Sequence, residues 1–129
     1  MSAPTAIILI AHGSPDPDWR RPIDGMADRL REQSSAEVLT AFLGFLEPDL
    51  GTAVADLAAR GHTDILVLSA FLSPGGKHIK RDVPELVATV AAAHPDIPLQ
   101  LRPGALGAEP EVVEALAAAA ARAAAATSG

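Results

Sequence analysis

Apolar runs recur four times along the chain, each bounded by turn-forming or charged residues. They cover residues 5–11, 36–43, 64–71 and 97–101. The first and third runs are rich in Ile, Leu and Val and do not alternate with polar residues, which is typical of parallel strands buried on both faces. We therefore predict a β-strand in each of these positions.

The segments between the runs carry apolar residues at helical spacing, as Ile23, Met26 and Leu30 illustrate. Asp82, with Glu85 three residues later, forms a capping-box pattern that marks a helix start. The last segment is rich in Ala, which favours a helix but leaves little to bury. We predict four helices. The first begins at Asp16 or Asp18 and ends near Gln33, and the second begins at 47–49 and ends near Gly61. The third runs from Asp82 to about His94, and the last begins at Pro110.

Strands and helices alternate along the whole chain and are joined by short loops. This order predicts an α/β fold, a single-domain three-layer sandwich in which helices cover both faces of a four-stranded, mostly parallel sheet. A length of 129 residues is enough for one domain with its own core. Because no linker or repeat boundary interrupts the pattern, we assign residues 1–129 to one domain.

Composition narrows the chemistry that such a domain can perform. Hydrophobic residues make up 49% of the chain, as in a packed globule, and cysteine is absent. Disulfides, thiolate ligands and cysteine nucleophiles are thereby excluded, so a metal has to be held by histidine or carboxylate groups. The net charge of −6 argues against nucleic acid as a partner, because phosphate binding needs a basic surface.

No apolar stretch of the sequence reaches the roughly 18–20 residues that a membrane-spanning helix needs. The run at residues 5–11 lacks a preceding basic region and is too short for a typical signal peptide. We therefore expect a cytoplasmic protein without a membrane partner.

The four histidines fall into two groups by their position relative to the predicted strands. His62 and His94 each follow a helix, where a histidine interacts favourably with the helix dipole, so we expect structural roles for both. His12 and His78 follow the first and third strands, which are commonly neighbours in such sheets. Ligands of open α/β sheets bind at the carboxyl ends of the strands. Two imidazoles at that edge, without cysteine, indicate a site for a borderline divalent metal.

Other residues expected at this edge have both a structural and a functional interpretation. Glu47 follows the second strand and either caps the next helix or serves a metal or a proton relay. The glycines at 75–76 either form a turn or let the backbone approach a flat ligand closely. The nearby basic residues are either solvated or pair with carboxylates of a ligand; they are Arg20, Arg21, Lys77, Lys80 and Arg81.

Three segments of the chain resemble the small CbiX-type class II chelatases. They are Ile-Leu-Ile-Ala-His-Gly-Ser at 8–14, Phe-Leu-Glu-Pro at 45–48 and Ser-Pro-Gly-Gly-Lys-His-Ile-Lys-Arg-Asp-Val-Pro at 73–84. The third segment is the most specific, since an apolar strand that ends in His-Gly occurs in many α/β proteins. The resemblance extends in the right order over nearly the whole chain, and the family comprises sirohydrochlorin cobalto- and ferrochelatases.

The resemblance implies an ATP-independent lyase that inserts Co²⁺ or Fe²⁺, or alternatively Ni²⁺, into sirohydrochlorin in cobalamin or sirohaem biosynthesis. The metal is then a substrate, and no permanently bound cofactor is expected. The resemblance further implies that His12 and His78 present the metal and that Glu47 accepts pyrrole protons or steadies the metal. Substrate contacts are expected from Gly13, Ser14, Phe45, Pro74, Gly75, Gly76, Lys77 and Lys80.

Short members of the family are similar to one lobe of longer two-lobed chelatases, which implies a chelatase half-domain that works as a homodimer. One sheet edge covers only one face of a large macrocycle, whereas burial of a ligand needs walls on both sides. A second copy related by two-fold symmetry supplies the other wall. Phe45, Phe71 and Leu72 lie near strand ends and are candidates to line this shared cleft, while Phe42 is expected to fill the core.

Two other functions remain open. A non-catalytic metal carrier would use the same two histidines without a tetrapyrrole. A small hydrolase would use Ser14 or Ser73 as nucleophile beside His12 and Gly13. The absence of a G-x-S-x-G elbow and of a third triad member in chain order counts against the hydrolase.

Overall fold

The computed structural model describes residues 4–127, apart from the side chains of His78 and Thr127. Within this range the strands are β1 (Ala6–Ala11), β2 (Glu37–Phe42), β3 (Ile65–Ser69) and β4 (Leu99–Leu101). The α-helices are α1 (Arg21–Gln33), α2 (Leu50–Ala59), α3 (Val83–Ala93) and α4 (Pro110–Thr127). Each element lies where the hydrophobic pattern predicts it, with shifts of a few residues at the ends.

The strands form one parallel sheet in the order β2-β1-β3-β4. Ile8 of β1 lies beside Leu39 of β2 on one side and beside Val67 of β3 on the other. Because β1 has a neighbour at each edge and a covered face on each side, all of its residues are buried. The four-stranded parallel sheet is therefore confirmed, as is the prediction that the first and third strands are neighbours.

Helices cover the two faces of this sheet unequally. On one face, α2 and α3 pack over β1 and β3, with Leu57 and Val83 in the core. On the other face, Ala27 of α1 packs against Leu9 and Val38. Each large aliphatic side chain buried in this way contributes roughly 1.5–3 kcal/mol. The three predicted layers are present, but beside β3 the second face is only half covered, and Leu68 stays partly exposed there.

The last helix contributes little to this core. It packs against the 3-10 turn Leu106–Ala108 that precedes it, and residues 113–122 are all exposed. This agrees with the Ala-rich sequence of α4, which supports a helix but offers few large side chains for packing. Within residues 4–127, no helix combines the length and the apolar content needed to cross a membrane.

Helix α2 has well-formed ends that the sequence signals. The Asp49 side chain caps its start by accepting a hydrogen bond from the Thr52 backbone N–H at 2.8 Å. At its end Gly61 has a φ of +88°, and the His62 N–H donates to the Leu57 carbonyl at 3.1 Å. This is a Schellman-type end, which favours glycine because the residue has to be left-handed. The predicted stop at Gly61 is confirmed.

The predicted capping box at the third helix is wrong. Asp82 has helical backbone angles, φ −65° and ψ −44°, and its side chain makes no cap hydrogen bond. A π-helical turn, His78–Asp82, runs directly into α3. Because the chain is already helical from His78, Asp82 lies inside a continuous helical segment and not at its start.

The predicted first helix also begins differently. A 3-10 turn at Pro17–Arg20 precedes α1, and the Asp16 side chain accepts a hydrogen bond from the Asp18 backbone N–H at 2.9 Å. Of the two aspartates expected to cap this segment, Asp16 is therefore the one that does so. It caps the 3-10 turn, while the α-helix starts at Arg21.

Asp49→Ala is expected to lower the free energy of unfolding by about 1 kcal/mol, because the Thr52 N–H loses its acceptor. Hydrogen bonding from Thr52 also holds the pKa of Asp49 below its ordinary value of 3.8. A carboxylate whose pKa falls on folding stabilises the protein above the unfolded value, and this contribution is lost as the pH drops through the folded pKa. In urea unfolding, the difference between wild type and variant should therefore be constant at pH values well above 3.8 and shrink as the pH falls below that value.

The matched control is Asp49→Asn, which keeps a hydrogen-bond acceptor at the cap without a titrating group. It should retain most of the stability at neutral pH. A wild-type advantage over Asp49→Ala that stayed constant as the pH fell well below 3.8 would contradict the assigned role of the Asp49 carboxylate.

Candidate functional site

The loops that follow β1 and β3 meet at the carboxyl edge of the sheet. The Ala70 N–H donates to the Ile10 carbonyl at 2.8 Å and so extends the β1–β3 contact beyond the strands. Directly above lies a cavity of about 310 Å³. Its lining consists of His12, Phe71, Leu72, Ser73, Gly75 and Gly76. The structure thus brings predicted residues from two distant segments into one cavity.

The imidazole of His12 stacks on the ring of Phe71. The ring centroids are 4.1 Å apart and the planes are inclined by 15°. Phe71 is buried, so it provides a fixed platform for an imidazole that is itself exposed. A metal binds in the plane of an imidazole, at a ring nitrogen, and stacking on Phe71 fixes the orientation of that plane. Phe71 is therefore part of the core and at the same time lines the cavity beneath the imidazole.

Gly13 holds the backbone of His12 against the loop that follows β2. Its φ is +94°, and a Cβ added there would lie 1.8 Å from the Gly44 carbonyl oxygen. Next to this contact the Gly44 N–H donates to the His12 carbonyl at 3.0 Å. Glycine is thus required at position 13 for a close backbone approach. The sequence marked Gly13 as a candidate, but it gave no sign that Gly44 is its neighbour.

The loop after β2 turns sharply at Phe45. The Leu46 N–H donates to the Gly44 carbonyl at 2.8 Å, and Phe45 between them has a φ of +66°. This is a γ-turn of the rare, strained type. Phe45 is 79% exposed, so the strained turn presents a large apolar ring to solvent. Strain of this kind concentrates at functional sites.

Glu47 lies in the same loop, next to Phe45 in a cavity of about 330 Å³. Its side chain is exposed, and its carboxylate makes no hydrogen bond or ion pair with a residue that the structure describes. The peptide bond between Glu47 and Pro48 is cis. Because Asp49 caps α2, the capping alternative for Glu47 is wrong.

The basic residues of this edge differ in their partners. Arg20 pairs with Asp24 at 2.9 Å and lies 5.1 Å from the centre of the Phe42 ring. Arg21 pairs with Asp18 at 2.7 Å, and Arg20 and Arg21 are thus neutralised locally. Arg81 pairs with Glu85 at 3.4 Å. Lys77 and Lys80 are exposed and form no ion pair with the described part of the chain.

The two serines considered as nucleophiles shape turns. Ser14 Oγ accepts a hydrogen bond from the Asp16 N–H at 3.1 Å, and Ser73 Oγ accepts one from the Gly75 N–H at 3.2 Å. Such contacts are typical of turns built by serine. They give the hydroxyls a structural role and weigh against the hydrolase alternative.

His62 and His94 lie at the opposite edge of the sheet, as predicted. His62 Nε2 is 2.8 Å from the Glu37 carboxylate, and Nδ1 is 3.1 Å from Thr5 Oγ1. His94 ends α3, and its backbone N–H donates to the Ala91 carbonyl at 3.1 Å. His62 follows the end of α2 and His94 caps the end of α3. Neither lines the His12 cavity.

His78 begins the π-helical turn after the glycine-rich loop, two residues beyond Gly76. Its side chain lies outside the part of the structure that is described. Among the described side chains, no group of three or more His, Asp or Glu residues could hold a metal ion. A metal at His12 therefore needs a further ligand, for which His78 is the candidate.

The profile of the CbiX family matches residues 6–123, which includes the whole sheet and most of α4. The chain is 33% identical over 81 residues to the sirohydrochlorin cobaltochelatase of Methanothermobacter thermautotrophicus. That match covers 63% of this chain and 56% of the relative. The matched part of this chain thus spans little more than half of that protein's length.

Two solved structures share the fold. A CbiX protein from Marinobacter aquaeolei has a TM-score of 0.84 at 25% identity, with coverage of 98% of this chain and 100% of that chain. The sirohydrochlorin chelatase SirB from Bacillus subtilis in complex with cobalt has a TM-score of 0.68 at 28% identity, with coverage of 76% and 42%. Because the family profile spans nearly all of the sequence and the fold agrees, the chain belongs to the CbiX family.

Proposed function

We propose that this chain inserts a divalent metal into sirohydrochlorin. The observation that carries the proposal is the imidazole of His12, stacked on Phe71 in a cavity that the glycine-rich loop after β3 also lines. Membership of the CbiX family and likeness to a chelatase solved with cobalt support the same reaction. Co²⁺ and Fe²⁺ are the favoured metals and Ni²⁺ is a third candidate, because imidazole nitrogen suits all three.

In this reaction two pyrrole N–H bonds break as the macrocycle takes up M²⁺, so two protons are released. We assign to His12 and His78 the task of holding the partly dehydrated metal. Two protein ligands leave the remaining coordination positions open for ring nitrogens. The stack on Phe71 favours this role for His12, because it fixes the ring before the metal arrives.

Glu47 is the proposed proton acceptor. A general base needs an available lone pair within reach of the proton it removes. The Glu47 carboxylate is exposed beside Phe45 and has no hydrogen-bond or ion-pair partner among the described residues. It takes a pyrrole proton and passes it to water, and an imidazole that has released the metal to the ring nitrogens serves as a second acceptor.

The macrocycle is proposed to lie over the carboxyl edge of the sheet. Phe45 and Leu72 are 79% and 67% exposed and supply apolar contact area. Lys77 and Lys80 supply positive charge for the peripheral carboxylates, which the net charge of −6 would otherwise repel. Contacts from Ser14, Pro74 and the glycines of the two loops complete the proposed substrate site.

A homodimer with the tetrapyrrole between two copies is part of the proposal. The cavities at this edge are open to solvent, whereas a bound ligand usually loses most of its exposed surface. A two-fold related copy places a second set of exposed residues, Phe45 and Leu72, opposite the first. A chain that remained monomeric while inserting metal at full rate would contradict the shared cleft.

The metal-carrier alternative uses the same imidazoles. A measurement of tetrapyrrole binding separates it from the chelatase. We expect sirohydrochlorin to change its absorbance when the protein is added without metal. Subsequent addition of Co²⁺ should convert the spectrum to that of the cobalt complex faster than in a protein-free control. Metal binding without a spectral change of the tetrapyrrole would favour the carrier, and ester hydrolysis would favour the hydrolase.

Glu47→Gln is expected to lower turnover about 100-fold, since the amide cannot accept the pyrrole proton. Sirohydrochlorin affinity and the free energy of unfolding should stay near wild type, because the carboxylate makes no hydrogen bond or ion pair with a described residue and does not cap α2. Absorbance-based turnover, a tetrapyrrole titration and urea unfolding measure the three quantities. Unchanged turnover in this variant would remove Glu47 from the mechanism.

A further inference from the structure

The connection between β4 and α4 returns to the carboxyl end of β3, beside the candidate site. It contains the 3-10 turn Leu106–Ala108. Within this turn the Gly107 N–H donates to the Phe71 carbonyl at 2.9 Å. Phe71 carries the stacked imidazole of His12. A segment far along the chain is therefore hydrogen-bonded to the platform of the candidate metal ligand.

Gly107 approaches the backbone of Leu72 more closely than any side chain would permit. An added Cβ would lie 2.2 Å from the Leu72 carbonyl oxygen and 2.4 Å from its Cα. The φ of Gly107 is not in the left-handed region, so alanine can adopt the same backbone angles. The need for glycine at this position therefore comes from the contact alone.

The turn that carries Gly107 is held from both faces of the sheet. Ala105, directly before it, is buried in the core under α2 and α3. Leu106 packs against the apolar cluster under α1 on the other face. An ion pair between Arg102 and Glu109 joins the two ends of the segment. The turn is thus a fixed support, and residues 71–72 rest on it.

We propose that Gly107 is a positioning residue for His12. Its contacts with Phe71 and Leu72 fix the place of the Phe71 ring, whose centroid is 4.1 Å from that of the imidazole. They also hold the exposed side chain of Leu72 at the cavity that His12 lines. The effect on the rate rests on the proposed function, in which His12 presents the metal. A misplacement of a reacting group by about 1 Å lowers a rate on the order of 100-fold.

Gly107→Ala tests the contact. Because the new Cβ meets backbone atoms, residues 71–72 have to move away from the turn. In proton NMR the Phe71 ring shifts the stacked ring protons of His12 upfield, and in the variant these signals should move towards the position of an unstacked imidazole. Their absence from His12→Ala identifies them. Turnover with Co²⁺ and sirohydrochlorin should fall at least about tenfold.

Gly104→Ala is the matched control. Gly104 lies in the same connection with a φ of +86°, and an added Cβ would meet nothing within 4 Å. This variant should lose stability through backbone strain, yet keep the wild-type His12 signals and turnover at a temperature at which it is folded. Wild-type His12 signals in Gly107→Ala, or displaced signals with unchanged turnover, would overturn the proposal. A wild type that inserts no metal would refute the proposed function, while the NMR comparison would still decide whether Gly107 positions His12.

Hydrogen exchange of the unmodified chain decides the matter if Gly107→Ala does not fold. Coupling between two sites is reciprocal, so a metal at His12 should slow exchange of the Gly107 N–H by at least about fivefold. The probe is Zn²⁺, a diamagnetic ion that imidazole binds, added until the His12 signals no longer shift. The control is the Arg102 N–H, which donates to the Val67 carbonyl at 3.1 Å and should not respond. An equal response of the two amides, or none at Gly107, would overturn the proposal.

Discussion

His12→Ala and His78→Ala are each expected to lower metal insertion into sirohydrochlorin by at least about 100-fold. Each variant removes one of the two imidazoles assigned to hold the metal, and the described side chains offer no group of three or more His, Asp or Glu residues that could hold the ion instead. A loss of this size is typical when the reacting groups are no longer held in the productive geometry. The measurement is the rate of the absorbance change on addition of Co²⁺.

The matched controls are the two histidines at the opposite edge of the sheet. His62→Ala should retain the rate, although it loses contacts with Glu37 and Thr5 and is therefore expected to cost about 1 kcal/mol of stability. His94→Ala should retain both the rate and the fold. Near-normal insertion by His78→Ala, with its circular dichroism unchanged, would refute the two-histidine mechanism.

Gly13→Ala is expected to destabilise the fold by about 3 kcal/mol or more and to abolish the site. The new Cβ would lie 1.8 Å from the Gly44 carbonyl oxygen, and a φ of +94° is itself unfavourable for alanine. The obstacle is backbone, which cannot rotate away as a side chain can. The loops after β1 and β2 would have to separate, and His12 would lose its fixed place above Phe71.

Gly76→Ala separates the clash from the backbone strain. Gly76 has nearly the same φ, +93°, but an added Cβ would meet nothing within 4 Å. This variant should therefore show the strain alone, about 1–2 kcal/mol. Urea unfolding gives both values, and equal losses in the two variants would contradict the close contact between Gly13 and Gly44.

Local signals in the sequence were sufficient for the elements and for part of the site. Uninterrupted Ile, Leu and Val runs predict β1 and β3 because burial on both faces removes polar alternation. Gly61 predicts the end of α2 because a left-handed residue is needed there. His12 could be placed at the carboxyl edge because it directly follows β1. This placement requires only the end of that strand to be known, and no contact with a distant segment.

Contacts between distant segments were decided only by the tertiary structure. The platform that Phe71 gives His12, and the approach of Gly13 to Gly44, join residues from different β-α units. Their geometry depends on strand order and loop path, which a periodic pattern of apolar residues does not specify. The capping-box pattern at Asp82 was overridden in the same way, because the preceding turn at His78–Asp82 is already helical.

For α4, too, the sequence predicted the helix, while the tertiary structure decided its contacts. Its alanine-rich sequence determines a helix, since alanine has the highest intrinsic helix propensity. Whether that helix packs depends on where the chain leaves the domain, which the contact of Gly107 with Leu72 and the ion pair of Arg102 with Glu109 decide. Propensity acts along the chain, whereas packing requires surfaces brought together in space, and so the sequence determined the helix while the fold left its apolar face exposed.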